Sequence, residues 1–292
     1  MPVLKRHTLL AVLRNSALAG FMGLVLATSG TYAAESKPLV LSVVPRLPMT
    51  MTHRDWSPFT HRLAQAIHRP IELRVFNTFA EFEGHAVSGQ ADLVFANPYQ
   101  ALRLHRKQGF IPLLRDARPL SGSLVVRSTD PITSIRGLDG ARIAFPHPNA
   151  FGASLYMRAL LEREYGIRFT PVYVTTHANV YRNVIHGKVA AGGGVNITLN
   201  QESPAVRAQL RVLYETPGVA AHPLSAHPRV PAALREQITA AVLRMREDPA
   251  GREILQRVTL TQPVPADYNR DYQPLERLQL DSYYVDTTVA EP

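Results

Sequence analysis

Short apolar runs alternate with helix-forming segments along most of this 292-residue chain, and that alternation limits the fold more than any other feature. Leu39 to Val44 (LVLSVV) is continuous, apolar and rich in β-branched residues, as a strand covered on both faces requires. A loop is expected over Pro45 to Asp55. Ser57 can then cap, and Pro58 open, a helix with Phe59, Leu63, Ala66 and Ile67 on one face. Ile71 to Phe76 reads as the next strand. Thr78 stands three residues before Glu81, the spacing of a capping box, and starts a helix that Gly89 stops. Asp92 to Ala96 is a strand, and Asn97-Pro98 pairs a cap with a residue suited to the first helical turn.

The second half repeats the pattern. Strands are expected at Leu124 to Arg127, Arg142 to Phe145, Val172 to Val174, Val189 to Ala191 and Leu210 to Tyr214. Helices are expected from about Asn149 to Tyr165, ended by Gly166, and from about Thr176 to His186, ended by Gly187. Gly192, Gly193 and Gly194 read as a flexible turn rather than a phosphate cradle. Pro231 opens a long helix with Leu234, Ile238, Val242 and Met245 on one face, and Asp248-Pro249 starts a shorter one. Beyond about Asp267 the periodicity fades, and a surface tail is expected. This order defines an α/β protein whose mainly parallel sheets are flanked by helices. At roughly 150 residues per domain the length suits about two domains. Ala86 to Asp92 (AVSGQAD) also resembles Val184 to Ala190 (VIHGKVA), each a helix end, a glycine stop and a strand start. So short a match arises by chance or by duplication; duplication would give two similar lobes with a ligand in the cleft between them.

Lys5, Arg6, His7 and Arg14 precede the apolar run SALAGFMGLVLAT (16–28) and the small-residue site Thr31-Tyr32-Ala33, the layout of a cleavable signal peptide over residues 1–33. Cleavage is expected after Ala33, which places the chain in the periplasm. With no cysteine, disulfides, thiolate metal sites and Cys nucleophiles are excluded. Lys and Arg outnumber Asp and Glu by 32 to 23; without the three basic residues before position 33 the balance is 29 to 23, or +6. Such an excess suits anionic partners. No run of five like charges occurs, so a nucleic-acid tail is not expected.

Enzyme signatures are missing. Gly152-Ala153-Ser154-Leu155-Tyr156 starts like a nucleophile elbow but lacks the final glycine, and HExxH, a phosphate-binding loop and a spaced glycine fingerprint do not occur. Three helix starts follow strands, at Asn97, Asn149 and Thr176. Each is either an ordinary cap or a set of free N–H groups able to hold an anion. Gly152 in a first helical turn costs stability relative to alanine, which close approach of a ligand or of neighbouring backbone would explain. His177, beside two threonines, suits an oxyanion contact or titration near neutral pH. Met49, Met51 and His53 offer a weaker alternative, a soft-metal site for copper.

Taken in order, Trp56-Ser57-Pro58-Phe59, Gly89 to Tyr99 (GQADLVFANPY), Pro146 to Ser154 (PHPNAFGAS) and His177 followed by Gly187-Lys188-Val189 resemble the phosphonate/phosphate-type periplasmic solute-binding proteins of ABC transporters. The resemblance covers most of residues 38 to 257. It implies the type II periplasmic-binding fold, with lobe 1 at 36–122 and 219–275, lobe 2 at 123–218 and a C-terminal tail at 276–292. It further implies ligand capture by lobe closure, transfer to a membrane permease, no covalent chemistry and no cofactor. A monomer is expected. The other expected partner is a membrane histidine kinase, for which the closed form would act as a sensor. Where the family typically has Ser-Thr-Ser-Gly, this chain has Asn149-Ala150-Phe151-Gly152, and the acidic residues expected after the histidine and after the glycine stop are Ala178 and Ala190. Hydroxyl and ammonium recognition are therefore lost while backbone donors persist. A small oxyanion (phosphate, phosphite or phosphonate-like) or an organic anion is expected, bound by Arg46, Asn97, Tyr99, Asn149, Ala150, Phe151, Gly152 and His177.

Overall fold

Two sheets, one built from the first and last strands of the chain and the other from the run between them, organise the computed structural model, which describes residues 37–286. The signal peptide and its cut lie outside the described residues. The chain begins β1 (Leu39–Val43), α1 (Met49–Ile67), β2 (Ile71–Arg74), α2 (Phe79–Val87), β3 (Leu93–Phe95), α3 (Pro98–Gln108) and β4 (Ile111–Asp116). It then crosses to β5 (Gly122–Arg127), β6 (Arg142–Phe145), a π turn at Phe151–Leu155 that runs into α4 (Tyr156–Arg163), β7 (Thr170–Tyr173), α5 (His177–Ile185), β8 (Ala191–Val195), α6 (Asn196–Gln201), α7 (Pro204–Arg207) and β9 (Leu210–Glu215). It returns through β10 (Pro223–Ala226), α8 (Ala232–Arg244), α9 (Pro249–Arg257), β11 (Pro263–Pro265) and α10 (Tyr268–Asp271).

The first sheet has the order β11-β4-β10-β3-β1-β2 and the second β7-β6-β8-β5-β9. In each, the first strand after a crossing between the lobes, β10 or β5, pairs antiparallel with both its neighbours. The two crossing segments touch through an isolated antiparallel bridge between Leu120 and Val219. The two matching seven-residue segments fall on equivalent places: Gly89 and Gly187 both take positive φ, 73° and 67°, and lead to β3 and β8, which pair parallel with β1 and β6.

Alternation along the strands sets the core of the second lobe. Leu124, Val126, Ile143 and Phe145 pack with Met157 and Leu161 of α4, while Val125 and Ala144 pack with Val180, Tyr181 and Val184 of α5 on the opposite face. In the first lobe, Asn97 caps α3 as expected, and does so through a capping box: its Oδ1 accepts from the Gln100 N–H (2.8 Å) while the Gln100 side chain accepts from the Asn97 N–H (3.1 Å). Thr78, Thr176 and Asp248 cap α2, α5 and α9 as expected.

Three expectations need correction. The segment expected as a loop over Pro45 to Asp55 is largely helix, because α1 starts at Met49 and carries Pro58 in its interior. Its N-cap Pro48 makes no side-chain cap bond and its first turn has no acidic residue, so the usual start signals are missing. Ser57 is no cap; its hydroxyl donates to the His53 carbonyl at 2.6 Å. Burial of Trp56, Phe59, Leu63 and Ile67 outweighs the donor lost at Pro58. Second, Gly192 to Gly194 are the middle of β8 and not a turn. Third, the segment expected as a surface tail is packed down to Asp286: Arg158 and Arg163 on α4 donate to the carbonyls of Tyr283 (2.8 Å) and Leu278 (2.7 Å), and Arg103 on α3 lies 3.7 Å over the Tyr284 ring. This segment ties a helix of one lobe to a helix of the other through carbonyls and 3-10 turns, which leave no helical periodicity to read.

Candidate functional site

The loop after β1 turns sharply, the Arg46 N–H donating to the Val44 carbonyl at 3.0 Å, and carries Arg46 to the junction of the lobes. Its guanidinium donates to Thr259 Oγ1 (3.0 Å) and lies 5.3 Å from the centre of the Phe95 ring. No carboxylate pairs with it among the described residues. Burial lowers its pKa to about 10, so it remains a cation at neutral pH, and its charge is uncompensated.

Two histidines face this cation. His177 is the first residue of α5, positioned by the Thr176 hydroxyl, which accepts from the Asn179 N–H at 3.1 Å. His222 lies just before β10 and stacks on Phe95 with ring centres 5.7 Å apart. Both Nδ1 atoms are buried without a hydrogen-bond partner. Burial and the nearby Arg46 push His177 down to about 4, and the same causes, with His177 added, push His222 well below its usual range. Both rings are therefore neutral at pH 7.

The π turn supplies the opposite wall. Its wide first turn, with the Leu155 N–H donating to the Ala150 carbonyl (3.1 Å), leaves the initial N–H groups without intrahelical partners. Glycines let this turn lie directly on the second sheet. A Cβ on Gly122 would fall 2.1 Å from the Gly152 carbonyl oxygen, and one on Gly193 would fall 2.0 Å from that of Ala153. Gly152 is itself pressed between Val195 and Gly122, at 3.2 and 3.4 Å from its would-be Cβ, so close backbone approach explains the glycine there. Together Arg46, Asn97, Ala150, Phe151, Gly152, His177 and His222 line one small cavity between the lobes. Thr175, beside His177, takes the left-handed conformation (φ 70°), as does Thr259 (φ 62°), the partner of Arg46. That is costly for a β-branched residue and persists only where the surroundings fix it.

The structure separates the expected site residues. Arg46, Asn97, Ala150, Phe151, Gly152 and His177 come together at the cavity, although Asn97 spends its side chain on the cap and on the Asn149 carbonyl (3.1 Å). Tyr99 and Asn149 do not line it. The Tyr99 hydroxyl donates to Asp281 (2.7 Å), and Asn149 holds Val285 from both sides, donating to its carbonyl (2.7 Å) and accepting from its N–H (3.0 Å). These two polar groups anchor the C-terminal segment, a partner more than 130 positions away. His222 was not expected. A histidine immediately before a crossing strand is the one signal the sequence offers for it. Met49, Met51 and His53 lie on α1, where a rotation of about 100° per residue turns Met51 away from the other two, and His53 Nδ1 lies 3.2 Å from Ser57 Oγ. Among the described residues no group of three or more His, Cys, Asp or Glu is placed to hold a metal ion.

The depressed histidines predict an acid sensitivity of definite sign. A histidine whose pKa is lower in the folded than in the unfolded chain binds its proton more readily after unfolding, so stability is complete above about pH 6.5 and falls as pH drops toward 4. For His177 the loss reaches about 3 kcal/mol. Urea midpoints at pH 7 and pH 4.5 should therefore drop more in the wild type than in His177→Gln. Equal drops would show that the His177 proton does not contribute.

Two lobes, crossing strands and an interlobe cavity define the type II periplasmic-binding fold. PhnD1 from Prochlorococcus marinus, solved in complex with methylphosphonate, superposes with a TM-score of 0.76 at 13% identity over 85% of this chain and 99% of its own. A binding-protein component of an ABC phosphonate transporter from Pseudomonas aeruginosa gives 0.73 at 11% identity over 83% and 85%. A Xanthomonas citri protein bound to chloride ion gives 0.73 at 18% identity over 84% and 99%. No curated protein sequence matches this chain. The profile of one family, described as ABC transporter, phosphonate, periplasmic substrate-binding protein, matches residues 41–272. The chain belongs to this family, whose members bind a small ligand and work with an ABC permease.

Proposed function

We propose that this protein captures a small oxyanion between its lobes, with Arg46 as the permanent positive charge, His177 and His222 as hydrogen-bonding partners, and the π turn as a backbone cradle. The closed form would then deliver the anion to an ABC permease, without turnover. One observation carries this reading: a guanidinium with no carboxylate partner among the described residues faces two imidazoles whose buried Nδ1 atoms lack partners. Buried polar groups are normally satisfied, and an oxyanion would satisfy all three. Neutral histidines can donate through one nitrogen, or gain a proton as the anion arrives. The N-terminal 33 residues serve export to the periplasm with cleavage after Ala33, and the lobes meet near residues 122 and 219.

Thermal unfolding of protein purified from the periplasm, with phosphate, phosphite, methylphosphonate, sulfate or copper added, tests this. An oxyanion at 100 times its Kd should stabilise the fold by about 2.7 kcal/mol. The shift should shrink in His222→Ala. Stabilisation by copper alone would sink the oxyanion reading.

A further inference from the structure

Arg46 and His177 also line a second and larger cavity, of about 610 Å³, walled by α1, α5, α6 and the end of α9. That is more room than one tetrahedral oxyanion fills. Its charge is uneven. Arg54, Arg182 and Arg257 line it in addition to Arg46, against Asp55 and Glu202. Asp55 is already paired with Arg54 at 2.8 Å, and Arg257 pairs with Glu253 at 2.6 Å. Arg182 contacts only the Asn179 side-chain oxygen, at 3.4 Å, and has no carboxylate partner among the described residues. Ala178, directly after His177, lines the same cavity and offers nothing to a cationic substituent.

The two cavities thus share Arg46 and His177, and the outer one carries a further unpaired cation. A ligand with a single charged end would leave Arg182 facing open space. An ammonium substituent would meet four arginines against two carboxylates, Asp55 and Glu202. A second negative group would be attracted by Arg182 and Arg257, and a planar carboxylate or a phosphoryl group suits the guanidinium fork. Thr259, strained at φ 62°, lines the outer cavity while bonding Arg46, and so links the two compartments.

We infer that the ligand is a bis-anion, with an oxyanion head at Arg46, His177 and His222 and a second anionic group, carboxylate or phosphoryl, reaching Arg182 and Arg257 in the outer cavity. This rests on the reading of the inner cavity as an oxyanion site.

Calorimetric titration of protein purified from the periplasm with methylphosphonate, phosphonoacetate, pyrophosphate and 2-aminoethylphosphonate separates the cases. At least one of phosphonoacetate and pyrophosphate should bind 10-fold or more tightly than methylphosphonate, and which one does so tells carboxylate from phosphoryl. Arg182→Ala/Arg257→Ala should remove that advantage while methylphosphonate affinity stays within about twofold. Methylphosphonate binding as tightly as both bis-anions, 2-aminoethylphosphonate binding tightest, or an advantage that survives the double variant would overturn the proposal and leave the oxyanion head standing. Failure of all four ligands to bind would overturn the oxyanion reading and this inference together.

Discussion

Arg46→Met lowers oxyanion affinity by 100-fold or more. The guanidinium is the only permanent charge lining the inner cavity, and among the described residues it has no carboxylate counter-ion to release when a ligand arrives. A charge-assisted contact of this kind, partly withdrawn from water, contributes about 3 kcal/mol when one partner is truncated. Methionine keeps much of the side chain's length, so packing against Phe95 should survive and stability should change little. Arg46→Lys should recover part of the affinity, since it restores the charge and not the fork. The substitution has a second readout. Arg46 depresses both His177 and His222, so in Arg46→Met their pKa values should rise, measured by NMR of the imidazole protons. The acid sensitivity should weaken with them. A variant that loses affinity while both histidines titrate unchanged would show that Arg46 does not act on them through its charge. Unchanged affinity would remove Arg46 from the site.

What was legible in the sequence follows from the range of the forces involved. The caps at Thr78, Asn97, Thr176 and Asp248 are contacts over three residues, and local residue types signal them directly. The strand order was readable only as a class: alternation implies parallel sheets, but the antiparallel insertion of β5 and β10, each the first strand after a crossing, is set by chain crossings that no periodicity encodes. The start of α1 stayed hidden because its stability comes from buried Trp56 and Phe59 rather than from a cap. At the cavity, His177 carried a local signal as a helix-start residue beside threonines, and Arg46 followed a buried strand. His222 had little signal, since its importance lies in facing two residues that are 176 and 45 positions away. Tyr99 and Asn149 were misplaced for the converse reason. Both sit at strand-to-helix junctions where a ligand contact is plausible, but their polar atoms are taken by Asp281 and Val285, from a segment with no readable periodicity.

Gly193→Ala should destabilise the protein by about 3 kcal/mol or more, the upper range for overpacking a core. In the native fold its methyl group would meet the Ala153 carbonyl oxygen at 2.0 Å and the Phe145 ring at 2.6 Å. Neither can yield cheaply, because one is backbone of the π turn and the other a fully buried ring at the end of β6. Gly84→Ala is the matched control: it lies inside α2 with nothing within 4 Å of the added carbon, and it should stabilise by up to about 1 kcal/mol through helix propensity. Equilibrium urea unfolding of both variants compares them on one scale. The effect of Gly193→Ala on binding should exceed what stability alone explains. Lifting the π turn off β8 moves Ala150 to Ala153, and with them the N–H groups on the wall opposite Arg46, so the folded fraction should also bind phosphate or methylphosphonate more weakly. If that fraction instead binds normally, the backbone cradle contributes nothing, and the anion is held by Arg46 and the two histidines alone.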